Sequence, residues 1–371
     1  MFEKSLKLRT NPIRTIEHFI RQQRELAREI IVVQGIGFVG TAMIAALCRA
    51  CDTTGKPLFG VIGVDRLDAD GKSNKISAVL NYVPPIDSTD ENIYEAYRFA
   101  KNEKNLFATH DTSVYQYADV VVIDINFDVA KNKSSTQPYD VSTLNFENSV
   151  EEIAEFIKPG SLVVLETTVP PGTTEKILVP VLESQFIKRG ICKSQIRAVH
   201  SYERVTPGKN YLNSITNYYR TFAAINEDSA QQARKFFCSF INVDDYPLYE
   251  LDTPSESEMA KVLENSFRSM NIAFIDEWTR YADVAGVNLY NVIQAVKQRD
   301  THKNIMLPGF GVGGYCLPKD SYLADWSLKH FFESHENLSL SCKAIQTNDN
   351  APLFVLDKIR SLFGKLEELR I

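Results

Sequence analysis

The chain is poor in the residues that build disulfide scaffolds, metal centres and membrane spans. Its 371 residues include six cysteines, at 48, 51, 192, 238, 316 and 342, too sparse for a disulfide framework and in keeping with a reducing cytoplasm. Cys48 and Cys51 stand three apart in a helical-looking run, where core packing is the expected role. The six histidines make no H-x-x-x-H pair, so no metal site is expected. Positive charge is not in excess: 41 Lys and Arg against 47 Asp and Glu give a net charge of -6. That balance argues against a general nucleic-acid binder, which is usually basic. No apolar run approaches the roughly 20 residues of a membrane span. The N-terminal stretch shows no apolar core of signal-peptide type, and no repeat or low-complexity tract is visible.

What is present has the composition of a soluble globular protein, 44% hydrophobic and 24% charged, at a length that suits two domains or three small ones. Residues 12–29 read as an amphipathic helix with Ile13, Ile16, Ile20 and Leu26 broadly on one side. The apolar strand Ile30–Val33 then runs into GIGFVG at 35–40 and a helical stretch, 41–50. Gly35 suits a tight turn, Gly37 the approach of a pyrophosphate and Gly40 close helix–strand packing, while Ile36, Phe38 and Val39 complete the loop. The phosphate would sit on backbone N–H groups at the helix N-terminus. After a longer loop, CDTTGKPLF, a second strand ends on Asp65. An acidic residue there holds the adenosine ribose hydroxyls and favours NAD over NADP. Further strands at 106–110, 119–125, 162–167, 196–201 and 220–225 alternate with helices near 90–103, 143–157 and 174–188. The polar stretch 131–140 reads as a surface loop. This rhythm predicts an α/β fold with a doubly wound, Rossmann-type, mostly parallel sheet.

Beyond residue 250 the pattern becomes all-helical. Ser255 with Glu258 has the spacing of a capping box, opening a helix of about 30 residues closed by Gly286. Lys261, Asn265, Arg268 and Ile272 fall along one face of it. A second helix, 288–299, follows, and the remainder reads as helical apart from a turn at Asn348–Pro352. Between them, Gly313 and Gly314 lead into Cys316, Pro318, Lys319 and Asp320. Pro318 suits a first helical position, which places Cys316 at or just before a helix N-terminus. There the helix dipole and Lys319 favour the thiolate, help that a thiol titrating near ~8.5 needs to act as a nucleophile. The predicted division is an N-terminal helical extension, 1–29, a dinucleotide-binding domain, 30–250, and a central helical domain, 251–371.

Five stretches in order carry a family resemblance: GIGFVG at 35–40, ETTVPPGTT at 166–174, SYERVTPG at 201–208, KVLENSFRSMNIAFIDE at 261–277 and GVGGYCLPKD at 311–320. Together they resemble the UDP-glucose/GDP-mannose dehydrogenase family of nucleotide-sugar 6-dehydrogenases. The resemblance implies oxidation of a C6 hydroxymethyl to a uronic acid by two NAD, without metal. It implies Cys316 as the nucleophile that traps the aldehyde, passing through a thiohemiacetal to a thioester that water hydrolyses. By matching position, Lys261 and Asn265 stabilise the oxyanion, and Asp320 and Thr168 orient or activate water, Thr168 also lying against the cofactor. Glu203 assists as an acid. With Arg204, Arg268, Gly313, Gly314 and Lys319 it completes the substrate set, which shares Lys261 and Asn265. The resemblance further implies a homodimer paired through the central helices, with Phe267, Phe274, Trp278 and Tyr281 as supporting aromatics.

Three departures accompany it. Tyr202 stands where the family has proline, and INFD at 125–128 stands where it has Val-Pro-Thr-Pro. The family's C-terminal nucleotide-binding domain would begin near Leu369–Ile371. VPPGTT and ERVTPG lean toward N-acetylhexosamine substrates, GGYCLPKD toward UDP-glucose. Two other readings remain. A one-step β-hydroxyacid or 6-phosphogluconate type of dehydrogenase needs no thiol, whereas a non-catalytic NAD-binding or assembly subunit would lack the nucleotide anchor.

Overall fold

The computed structural model describes residues 16–132 and 139–364. The strands are β1 (Glu29–Gln34), β2 (Phe59–Val64), β3 (Leu106–Thr109), β4 (Val120–Ile123), β5 (Val129–Lys131), β6 (Tyr139–Val141), β7 (Leu162–Leu165), β8 (Arg197–His200), β9 (Thr221–Ala224) and β10 (Tyr249–Glu250). The α-helices are α1 (Ile16–Glu25), α2 (Phe38–Arg49), α3 (Asn74–Leu80), α4 (Glu91–Glu103), α5 (Leu144–Phe156), α6 (Val179–Lys188), α7 (Asn213–Thr216), α8 (Glu227–Cys238), α9 (Pro254–Ala285), α10 (Leu289–Val296), α11 (Asp320–His330) and α12 (Ser339–Phe363). Two compact units result. One comprises Met1–Asn126, Leu144–Thr167 and Ile177–Pro254, the other Phe127–Thr143, Thr168–Lys176 and Ser255–Ile371.

The first unit is built on an eight-stranded sheet ordered β10-β9-β8-β7-β4-β1-β2-β3. Its central strands are runs of Val, Ile and Leu buried on both faces, as in Ile30–Val33, the composition that helix-covered parallel strands require. Pairing is parallel from β3 through β8, and β9 lies antiparallel to β8. The strand order reverses direction between β1 and β4, which makes their C-terminal ends the switch point where doubly wound sheets take ligands.

The N-terminal helix differs from its expected pattern. Of the anticipated stripe, Ile13 lies outside the described residues and Leu26 is exposed, because the helix ends at Glu25. The buried face is instead Phe19, Ile20 and Gln23. Phe19 packs 5.5 Å from Phe107, and the Gln23 amide donates to Lys104 O. Cys48 is buried within α2, where burial pushes its thiol up. Cys51 lies past the end of that helix, bridging to Pro57.

In the second unit, the ends of the expected 131–140 loop are strands. β5 and β6 pair as an antiparallel hairpin, with 133–138 outside the described residues. Tyr139 is drawn out of solvent by stacking on Tyr322 at 4.5 Å and by donating to the Asp325 carboxylate. The expected turn at Asn348–Pro352 is also absent, since α12 runs through Pro352. Proline removes the N–H that would bond Asn348 O. The Gly311 backbone packs against that carbonyl instead, so closely that a Cβ there would lie 2.5 Å from it.

Candidate active site

The C-terminal ends of β1 and β4 carry the first cluster. Gly35 turns the chain out of β1 at φ +98°, and an alanine Cβ there would meet Asp124 O at 2.3 Å. At Gly40 a Cβ would meet Gly35 O at 1.9 Å, so α2 lies against the loop only because that residue is glycine. Gly37, by contrast, has nothing within 4 Å of a Cβ position. It is the N-cap of α2 and supplies no side-chain cap, leaving helix-end N–H groups that suit a dinucleotide phosphate. Asp65 closes the loop from the end of β2. Its carboxylate accepts from Ile36 N at 3.0 Å and pairs with Lys75 at 3.0 Å.

Beneath this loop lies a buried acid cluster of which only Glu166, opening ETTVPPGTT, falls within a quoted motif. Asp124 directly follows β4, Glu166 directly follows β7, and Arg220, 4% exposed, pairs with Glu166. Neither Asp124 oxygen meets a donor, and the facing group is the Glu166 carboxyl. Burial pushes Asp124 well above the usual carboxylate range, reinforced by the charges of Glu166 and Glu203. Burial raises Glu166 too, with Arg220 pulling it back. Two facing buried carboxyls of this kind disfavour the doubly charged form. Glu203 is buried in the same unit and accepts from Val205 N. Arg204 donates to Tyr219 O and the Tyr202 hydroxyl, both at 2.8 Å, and its guanidinium lies 4.8 Å from the Tyr202 ring. Tyr202, the departure from the family pattern, thus forms part of this arginine's seat.

The second unit gathers most of the remaining predicted residues. Lys261 is buried and Asn265 half-buried, one turn apart on α9. Asn265 donates to Asp320 Oδ2 at 2.7 Å, and Lys319 Nζ bonds Asp320 Oδ1 at 3.0 Å. The Asp320 side chain is 1% exposed and that of Lys319 7%. Pro318 is not the first helical residue: it lies in a turn, and α11 begins at Asp320. Cys316 O accepts from Lys319 N and Asp320 N, both at 3.0 Å, which sets the half-buried cysteine one turn ahead of the helix. Gly314 takes φ +86°, and neither it nor Gly313 has a neighbour within 4 Å of a Cβ position. Thr168 is half-buried, whereas Arg268, expected on the same face as Lys261 and Asn265, is exposed.

The expected capping box does not form. Ser255 lies within α9, and its hydroxyl donates to Glu175. Glu258, 1% exposed, accepts from Gly172 N at 2.5 Å and from Thr174 N and Oγ1 at 2.8 and 2.6 Å. It therefore clamps the VPPGTT turn that follows Thr168. Burial pushes Glu258 up to about 8. A raised folded-state value means the folded protein binds this proton more tightly. Its contribution to stability is complete below the unfolded value near 4.5 and is lost as pH rises through about 8. Glu258→Gln is expected to flatten the fall in thermal midpoint between mildly acidic and mildly alkaline buffer. A residual slope of the same sign is expected from Asp124 and Glu166. An unchanged profile would place the titration elsewhere.

Among the described residues no group of three or more His, Cys, Asp or Glu could hold a metal ion, and no helix is long and apolar enough to cross a membrane. The sequence model for the NAD binding domain of the UDP-glucose/GDP-mannose dehydrogenase family matches residues 29–241, and that for its central domain matches 255–350. The UDP-N-acetyl-D-mannosamine dehydrogenase of Pyrococcus horikoshii is 30% identical over 346 residues, covering 92% of this chain and 72% of the relative. That of Methanococcus maripaludis is 28% identical over 336 residues, covering 91% and 69%. A solved UDP-D-ManNAc dehydrogenase structure from Pyrococcus horikoshii superposes with a TM-score of 0.72 at 26% identity, covering 90% of this chain and 72% of that one. The glycine loop at the sheet's switch point and the cysteine turn beside the long helix lie within these matches, and the chain belongs to the UDP-glucose/GDP-mannose dehydrogenase family, with NAD as its cofactor.

Proposed function

We propose that the chain oxidises the C6 hydroxymethyl of a UDP-N-acetylhexosamine to the uronic acid, with Cys316 as the covalent nucleophile. The observation that carries this reading is the Asp320 carboxylate. It joins Asn265 of α9 to Lys319 of the Cys316 turn, so that oxyanion donors and nucleophile belong to one hydrogen-bonded frame. NAD supplies the hydride acceptor at each of the two oxidations. The C6 alcohol first gives up a proton and a hydride to become an aldehyde. Cys316 thiolate adds to its carbon, and Lys261 and Asn265 stabilise the oxyanion of the thiohemiacetal. Loss of the second hydride leaves a thioester. Water oriented by Asp320 and Thr168 then attacks the carbonyl and releases the thiolate. Gly313, Gly314 and Lys319 support the substrate in this scheme, with Glu203, Arg204 and Arg268 assigned by matching position alone. Asp65 takes the adenosine ribose.

The N-acetylhexosamine class is favoured by the relatives' own substrates, the N-acetylmannosamine nucleotides. Pairing of two chains through α9 is supported by its exposed apolar stripe, Leu263, Phe267, Phe274, Trp278 and Tyr281, each at least 45% exposed. Patches of this extent on soluble chains mark protein contacts, and sedimentation as a dimer is the expected behaviour. A cytoplasmic location suits six cysteines that form no disulfide. The chain is to be incubated with NAD and a panel of UDP-sugars, following NADH beside Cys316→Ser. Two NADH per sugar, with the variant unable to complete the second oxidation, is the expected result. One NADH per sugar, or turnover indifferent to Cys316, would sink the thioester mechanism. NAD binding without any turnover would favour the non-catalytic reading.

A further inference from the structure

Tyr315 immediately precedes Cys316 and is held from two sides. Its hydroxyl donates to the Asp128 carboxylate, with Phe127 O as a second acceptor at 3.3 Å. Its ring lies 4.6 Å from Lys319 Nζ, a cation–π distance. Lys319 is 5% exposed and shares with Asp320 the turn that Cys316 O closes. Asp128 belongs to INFD, the segment in which this chain departs from the Val-Pro-Thr-Pro pattern. A proline at that position offers no side-chain acceptor, so the tether is a property of this sequence.

We propose that Tyr315, anchored by Asp128, is a positioning residue that keeps the Lys319 ammonium within the Cys316 turn and so sustains the thiolate. The proposal rests on the reading of Cys316 as the nucleophile. With the hydroxyl bonded, the ring, 47% exposed, is tethered at its tip, and its face offers the ammonium a second interaction besides Asp320. Without the tether the ring is freer to leave, and the long lysine side chain gains access to water, where an ammonium is better solvated. The turn that Cys316 O closes then loses a positive charge, and the thiol is expected to become harder to deprotonate. Asp128 carries a charge of the opposite sign, so its own removal acts on the thiol in the other direction.

The test is peptide-resolved alkylation of the full chain by iodoacetamide across the neutral to alkaline range, without substrate. Tyr315→Phe keeps the ring and loses the tether; Tyr315→Leu loses both. The alkylation midpoint of Cys316 is expected to rise in Tyr315→Phe and by about one pH unit in Tyr315→Leu, a loss of roughly tenfold in neutral-pH reactivity. Asp128→Asn, whose amide oxygen still accepts the hydroxyl, is expected to keep the midpoint at or below the wild-type value. The exposed Cys238 should react alike in every variant. Midpoints unmoved in both Tyr315 variants, or raised equally by Asp128→Asn, would overturn the proposal. A wild-type Cys316 no more reactive than Cys238 would remove the nucleophile reading itself, and the proposal with it.

Discussion

Gly37→Ala is expected to leave the fold intact and weaken NAD binding by about tenfold or more, whereas Gly40→Ala is expected to damage both. A methyl on Gly37 meets no protein atom within 4 Å, so its only consequence is to occupy the approach to the α2 N-terminus. The same methyl on Gly40 would lie 1.9 Å from Gly35 O. Backbone cannot yield as a side-chain tip can, and α2 would have to lift from β1, at a cost of about 3 kcal/mol, the upper part of the overpacking range. Thermal unfolding and NAD titration of the two variants separate the effects. Gly37→Ala with wild-type affinity would mean that the dinucleotide does not pass over this loop. Gly40→Ala with wild-type stability would mean that the helix has room to move.

The difference between these glycines was legible in the sequence because it is local. Gly40 meets the Gly35 carbonyl five residues away and Gly37 meets nothing, although Gly35 itself is confined by Asp124 from the neighbouring strand; the strand, loop and helix around them follow from a short hydrophobic pattern. The cysteine turn was legible for the same reason, though its helix starts at Asp320 rather than Pro318. Glu258 shows where local reading ends. Its spacing from Ser255 suits a capping box, yet its donors at Gly172 and Thr174 are more than 80 residues away. Tyr139 sits in a stretch whose composition says surface, and it is buried by Tyr322 and Asp325, distant in sequence. Asp124, Glu166 and Arg220 close a cluster across three chain segments. A strand-ending acid beside a glycine loop was the available signal for Asp124. A second acid at the next strand end, in ETT, was the signal for Glu166. Neither signal distinguishes a solvated strand-end carboxylate from one sealed beneath the loop, because that depends on what covers the sheet.

Asp320→Asn is expected to lower stability by about 3 kcal/mol, the scale for removing one partner of a buried ion pair, and to reduce turnover by about 100-fold or more, the scale for a group acting on a catalytic proton. Asparagine keeps the shape and can still accept a hydrogen bond from Asn265 or Lys319. What it removes is the negative charge opposite an ammonium whose side chain is 7% exposed. The Tyr315 ring remains 4.6 Å from that ammonium and offsets part of the loss, which sets the estimate at the lower end of the range. Lys319 can recover only by reaching water, and the Cys316 turn would open with it, because Lys319 N and Asp320 N both bond Cys316 O. Stability and catalysis should therefore fall together in this variant, whereas Cys316→Ser should lose catalysis with little change in stability. Denaturant unfolding beside single-turnover NADH formation reads both quantities. If Asp320→Asn unfolds like wild type, the Lys319–Asp320 pair is weakly coupled to the fold despite its burial. If turnover also survives, neither water activation nor support of the cysteine turn depends on this carboxylate.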